Sequence, residues 1–154
     1  MRLFVGKAMI RPYTHHDKEA VIHLLQLNTP EYFHPSEEHD FIEYLDKFLE
    51  HYFVVEEKGQ IVGCGGYNFA ENNTIARIAW DMIHPAFQER GVGKKLTLYR
   101  IDAIKKSSAA QSIVVRTSQL AYPFYEKVGF ELEKVAKDFW AEGFDLYQMK
   151  MSIK

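Results

Sequence analysis

Cysteine is almost missing: Cys64 stands alone in 154 residues, so no intrachain disulfide can form and no thiolate zinc site can be assembled. That scarcity fits a reducing, cytoplasmic setting. No run approaches the ~20 apolar residues needed to cross a bilayer, and Met1-Arg2-Leu3-Phe4-Val5-Gly6-Lys7 carries an apolar patch without a long signal core. The expectation is a soluble protein with no membrane partner. Excess charge of either sign is also lacking: 19 basic against 21 acidic residues give a net charge of -2. No broad positive field exists for nucleic acid or anionic lipid. Seven histidines are scattered, and the adjacent His15-His16 pair falls on different helical faces rather than one turn apart, so no metal site is expected. Repeats, Pro-rich linkers and low-complexity tracts are absent as well. What remains is 47% hydrophobic and 14% aromatic, enough for one core and one domain, residues 1–154.

The punctuation of the chain suggests the elements. Residues from about Lys7 to Pro12 read as a first strand, and Thr14-His15-His16-Asp17 has the Ser/Thr-x-x-acid form of a helix start. Val21, Leu24 and Leu25 then face inward. Ser36, ahead of Glu37 and Glu38, reads as the cap of a second helix carrying Phe41, Tyr44, Leu45, Phe48 and Leu49 at helical spacing. Tyr52–Glu57 and Gln60–Phe69 form a hairpin turning at Lys58-Gly59, and Asn72-Asn73 leads into a third strand, Thr74–Ile83. Helical periodicity returns after Gly93, with Val92, Leu96, Tyr99 and Ala103 predicted to face a sheet. Ser112–Thr117 is a strand, a short helix spans about Gln119 to Val128 and stops at Gly129, and two last strands flank Glu142-Gly143. The order β, α, α, β, β, β, α, β, α, β, β predicts a mixed α/β sheet with helices on both faces.

One segment carries chemistry. After the strand ending Trp80-Asp81-Met82-Ile83-His84-Pro85, the run Gln88-Glu89-Arg90-Gly91-Val92-Gly93-Lys94 opens a helix. Unpaired N–H groups at a helix N-terminus attract phosphate, and glycine lets a diphosphate approach them without a Cβ in the way. A Walker-type loop is excluded, because Gln88 takes its first Gly position and Lys95 its Ser/Thr position. A dinucleotide fingerprint is excluded too: Leu96 takes the third Gly position, and the motif lies past mid-chain. On this segment alone, a helix start with incidental glycines stays open as the plainer reading.

A second segment narrows it. Pro123-Phe124-Tyr125-Glu126-Lys127-Val128-Gly129-Phe130 follows about 35 residues later, and the pair of motifs resembles the GCN5-related N-acetyltransferases, the GNAT family, over nearly the whole chain. The resemblance implies a GNAT-like, mostly antiparallel twisted sheet of about seven strands with four helices on both faces. It implies acetyl transfer from acetyl-CoA to a primary amine by direct attack. In that family the strand before the cradle bulges and splays from its neighbour, so Asp81, Met82 and Ile83 would offer backbone groups to the pantetheine arm, and an N–H near Met82 or Ile83 would polarise the thioester carbonyl. Gln88, Glu89, Arg90, Gly91, Val92, Gly93 and Lys94 would hold the pyrophosphate.

Tyr125 matches the family's tyrosine, and the resemblance makes it the acid that serves the departing sulfur as well as part of the cofactor site. Tyr122 is a nearby competitor without motif support. Two departures matter. Ser118 stands where many members have an asparagine that binds the cofactor arm, and Ile113 stands where some protein N-terminal acetyltransferases place a glutamate base. A small-molecule amine is therefore the expected acceptor, ahead of a protein. Asp81, His84 and water remain open as the route for the amine's proton. Glu31-Tyr32-Phe33-His34 lies where the family builds its acceptor site, and Phe139-Trp140 with Phe144 would overhang that cleft or join two copies in a homodimer. Cys64, between Gly63 and Gly65, reads as a buried thiol rather than a nucleophile. A CoA-binding sensor without turnover is the alternative function.

Overall fold

The computed structural model describes residues 3–5 and 8–153. Lys7, where the first strand was expected to begin, lies outside them. An eight-stranded sheet has the order β1-β2-β3-β4-β5-β6-β8-β7, with β1 Leu3–Val5, β2 Ala8–Pro12, β3 His51–Glu57, β4 Gln60–Ala70, β5 Ile75–Ile83, β6 Ser112–Thr117, β7 Glu131–Ala141 and β8 Phe144–Ser152. Seven of these correspond to the expected sheet, and the three-residue β1 adds an edge. All neighbours are antiparallel except β5 and β6. Four α-helices accompany them: α1 Lys18–Leu27, α2 Glu37–Glu43, α3 Val92–Ser107 and α4 Tyr122–Val128.

Strand alternation divides the core between the two faces. On one, α1 and α2 bury Val21, Leu24, Leu25, Phe41 and Tyr44 against Tyr52, Val54 and Cys64. On the other, α3 and α4 cover Ala76, Ile113, Val115 and Met149, while Leu96 meets Ile10, Val55 and Val62. Cys64 is fully buried, and that burial pushes its thiol up to about 12, as befits a packing residue.

Several local expectations are modified by competing contacts. Ser36 precedes α2, but its hydroxyl turns to His34 Nδ1 at 2.8 Å, while the Glu37 carboxylate accepts from His34 N at 2.8 Å. The serine therefore makes no side-chain cap. The helix then widens into a π turn over Tyr44–Phe48, leaving Phe48 exposed. The inward face of α3 is also rotated from the expected stripe. Val92 and Leu96 are buried as predicted, but Thr97, Arg100, Ile101 and Ile104 complete the face, with Tyr99 and Ala103 at its margins. The rotated face buries Arg100, whose Nη2 donates to Asp81 Oδ2 at 2.8 Å.

Candidate active site

Two irregularities open the sheet at its centre. Cys64 pairs with Met82 and Gly66 with Ala79, so β5 fits an extra residue opposite β4 at Trp80-Asp81, and Trp80 takes φ 49°. On its other side β5 pairs with β6 only at Ile75–Ser112, Ala76–Ile113 and Arg77–Val114. Beyond Arg77 the two strands part. A cavity of about 780 Å³ fills the split and reaches the start of α3, within the usual size of a small-molecule site.

The N-terminus of α3 closes one end. Gly91 caps it with φ 82°, a left-handed geometry natural to glycine. Gly93 packs near Ile83 and Phe124. Glu89, Gly91, Gly93 and Lys94 all line the cavity, where the first helical N–H groups lack intrahelical acceptors. Two residues of the expected cradle do not line it. The Arg90 guanidinium lies 4.8 Å from the Phe87 ring and 3.9 Å from Glu57, and the Val92 side chain is buried in the core. Gln88 lines the cavity, but its amide is committed to the scaffold, donating to Asn28 Oδ1 at 3.1 Å and Ile83 O at 3.3 Å. Buried Asn28 completes that clamp by donating to Leu24 O at 2.8 Å and Ile83 O at 3.1 Å. It ties α1, β5 and the cradle together.

Backbone direction separates Met82 from Ile83. His84 N donates to Val62 O at 2.8 Å, so by antiparallel alternation the Cys64–Met82 pair is also a hydrogen-bonded one. Met82's main chain therefore faces β4, although the residue itself lines the cavity. Ile83 instead turns its N–H toward the split, its carbonyl being held by Asn28 and Gln88. His84 lies outside the cavity lining and accepts from Ala86 N through Nδ1 at 3.0 Å. It caps its own turn.

The centre of the cavity holds a group that the sequence did not announce. Arg100 has no exposed surface, yet it is charged. Its Nη1 donates to Gly66 O at 3.0 Å and to Asp81 Oδ1, and its Nη2 donates to Asp81 Oδ2 at 2.8 Å. Burial pulls the guanidinium pKa down, but the charge and hydrogen bonds of Asp81 outweigh it and hold the group above its ordinary value. The Tyr125 hydroxyl donates to the same Asp81 Oδ2. Burial first, and then the Asp81 charge, push this phenol well above 10. Tyr125 is thus neutral, oriented and 4% exposed.

Glycines make room for this cluster. A Cβ at Gly65 would collide with the Asp81 carboxylate and the Arg100 guanidinium, and one at Gly66 with the His51 carbonyl. Gly65→Ala should cost about 1–3 kcal/mol through overpacking, read from the urea midpoint. It should also lower turnover by displacing Asp81, whereas an unchanged midpoint would show that the cluster yields freely.

Of the remaining expected residues, Tyr32, Phe33, Ser118, Trp140 and Phe144 line the same cavity, whereas Glu31, His34 and Phe139 do not. Ser118 lines it with its hydroxyl accepting from Leu120 N at 3.3 Å, and Trp140 donates to Thr117 O at 3.1 Å. Tyr122 instead stacks on Tyr147, 4.6 Å between centroids. Tyr32, Phe33, Glu37, Trp80 and Phe144 form the opposite mouth. Phe33 stacks on Trp80 at 6.1 Å, and burial raises the Glu37 carboxyl. Among the described residues no cluster suited to a metal occurs, and no helix is long and apolar enough to cross a membrane.

This split sheet, bulged strand and helix cradle can be compared with known proteins. The family profile described as "Acetyltransferase (GNAT) domain" matches residues 14–153. The chain belongs to the GNAT acetyltransferases. Among relatives, an N-alpha-acetyltransferase of Sulfolobus acidocaldarius is 26% identical over 136 residues, covering 79% of this chain and 76% of that protein. Ard1 from Thermoplasma volcanium superimposes with a TM-score of 0.81 at 20% identity, covering 96% of this chain and 99% of that one. An aminoglycoside 6'-N-acetyltransferase complexed with coenzyme A gives 0.78 at 15% identity, over 94% and 97% of the two chains. As a GNAT protein the chain is an acetyltransferase.

Proposed function

We propose that this GNAT enzyme transfers acetyl from acetyl-CoA to the primary amine of a small molecule by direct attack within the split between β5 and β6. The observation that carries the reading is the parting of these strands beyond Arg77, in a cavity that joins the α3 N-terminus to Tyr125 and Asp81. Acetyl-CoA supplies the thioester; the rest is done by the chain. The α3 N-terminal N–H groups, with Lys94 beside them, bind the pyrophosphate. Ile83 N–H aligns the acyl carbonyl and stabilises its oxyanion, and Ser118 serves the pantetheine arm.

The amine nitrogen bonds to the acyl carbon, the carbon–sulfur bond breaks, and the nitrogen's proton leaves to water through the open mouth. Both Asp81 oxygens are already engaged by Arg100 and Tyr125, so Asp81 is a positioning residue rather than the base. Tyr125 turns its hydroxyl from Asp81 toward the departing sulfur and stabilises the thiolate by hydrogen bonding. Full proton transfer from so high a pKa is uphill, which changes its expected role from acid to donor.

A protein N-terminus is the competing acceptor, favoured by the name of the Sulfolobus relative. Against it, Ile113 is wholly buried and offers no base on β6. Thiol release measured against small amines and peptides with free N-termini decides between them. Turnover of small amines above peptides is expected, and the reverse order would overturn the acceptor assignment. Tight coenzyme A binding without any acceptor would favour the sensor.

A further inference from the structure

The acceptor mouth contains an unpaired cationic pair. Arg77 lies beside Asn68 on β4 and Val114 on β6, and Arg116 comes two residues after Val114, hence on the same face of the sheet. That face is the one covered by α2 and its π turn, because Asn68 accepts from Tyr44 Oη at 2.8 Å and donates to Phe48 O at 2.7 Å. Both arginines line the cavity. Among the described residues neither has a carboxylate within ion-pair distance. Arg116 is further oriented by two rings, its guanidinium lying 5.0 Å from the Phe139 centroid and 5.8 Å from that of Trp140. Stacking on ring faces leaves the in-plane N–H donors free. Burial lowers the pKa of Arg116, and the charge of Arg77 lowers it further, as two cations sharing one space should.

Two guanidiniums facing one cavity repel each other until an anion joins them, and their forks suit carboxylate or phosphate oxygens. We infer that Arg77 and Arg116 bind an anionic group of the acceptor, so that the substrate is an amine bearing a carboxylate or a phosphate. Three residues of β5 lie between Arg77 and Asp81, four steps or roughly 13 Å of strand before the bulge shortens it. Even with long arginine side chains reaching inward, amine and anion must stand several bonds apart. An ω-amino acid or aminoalkyl phosphate meets that spacing, with its ammonium among Phe33, Trp80 and Glu37. This inference rests on the acceptor site being where the acetyl-transfer reading puts it.

The test is calorimetric titration of the full chain, with coenzyme A present, using 5-aminopentanoate, its amide and 4-aminobutyl phosphate. The anionic amines should bind roughly tenfold or more tightly than the amide, equivalent to about 1.4 kcal/mol. An R77Q/R116Q variant should erase that preference while keeping its affinity for coenzyme A. The carboxylate and phosphate arms show which anion is preferred. Equal affinity for acid and amide, no binding of any anionic amine, or a preference surviving R77Q/R116Q would overturn the inference. Because these titrations need no turnover, they are distinguishable from failure of acetyl transfer, which would appear as preserved anion preference without thiol release.

Discussion

Asp81→Ala is expected to destabilise the protein by about 3–5 kcal/mol, because it strands a charged arginine in the interior. Arg100 is fully buried, and its remaining acceptors would be neutral: Gly66 O at 3.0 Å, Leu96 O at 3.3 Å and Thr97 Oγ1 at 3.3 Å. The urea midpoint should fall accordingly. Arg100→Met in the Asp81→Ala background should recover much of the loss, since removing both charges leaves an apolar replacement of similar length. If Asp81→Ala left the midpoint unchanged, the pair would contribute little. Turnover behaves differently from stability here: the double variant should remain slow, because nothing then orients the Tyr125 hydroxyl.

Tyr125→Phe should lower kcat by on the order of a hundredfold with little change in acetyl-CoA affinity. The phenyl ring keeps its place beside Phe124 and Phe130, at 5.0 and 5.7 Å between centroids, so the loss isolates the hydroxyl. Unchanged kcat would remove Tyr125 from catalysis. The pH profile gives an independent readout. Burial and the Asp81 carboxylate hold the phenol well above 10, so the wild type should show no alkaline decline from this residue below about pH 10. The same shift makes the phenol's contribution to stability complete below its unfolded pKa and lost as pH rises beyond it.

The fold was readable because its local signals agree with its tertiary contacts. Lys58-Gly59 turns β3 into β4, and Gly129 ends α4 at φ 118°. Val21, Leu24 and Leu25 are buried as their spacing predicts. The cradle and Tyr125 were legible as motifs, and the family they pointed to is the one the chain belongs to. What stayed hidden depended on partners distant in sequence. Arg100 lies on the Val92–Leu96 face, and an arginine there called for a buried acid, but only the bulge at Trp80-Asp81 reveals which one. Asn28 and Gln88 are 60 positions apart, and their clamp has no sequence signature. Backbone alternation, invisible to side-chain pattern, divided Met82 from Ile83. The Arg77–Arg116 pair emerged only when β5 and β6 were placed side by side.

The most direct test of the account is titration of the protein with acetyl-CoA and, separately, with acetyl-pantetheine, which keeps the thioester and arm but lacks the pyrophosphate. If the α3 N-terminus holds that group, acetyl-CoA should bind one to one and roughly tenfold or more tightly than acetyl-pantetheine. Failure of acetyl-CoA to bind at high concentration, or equal affinity for the two, would contradict it.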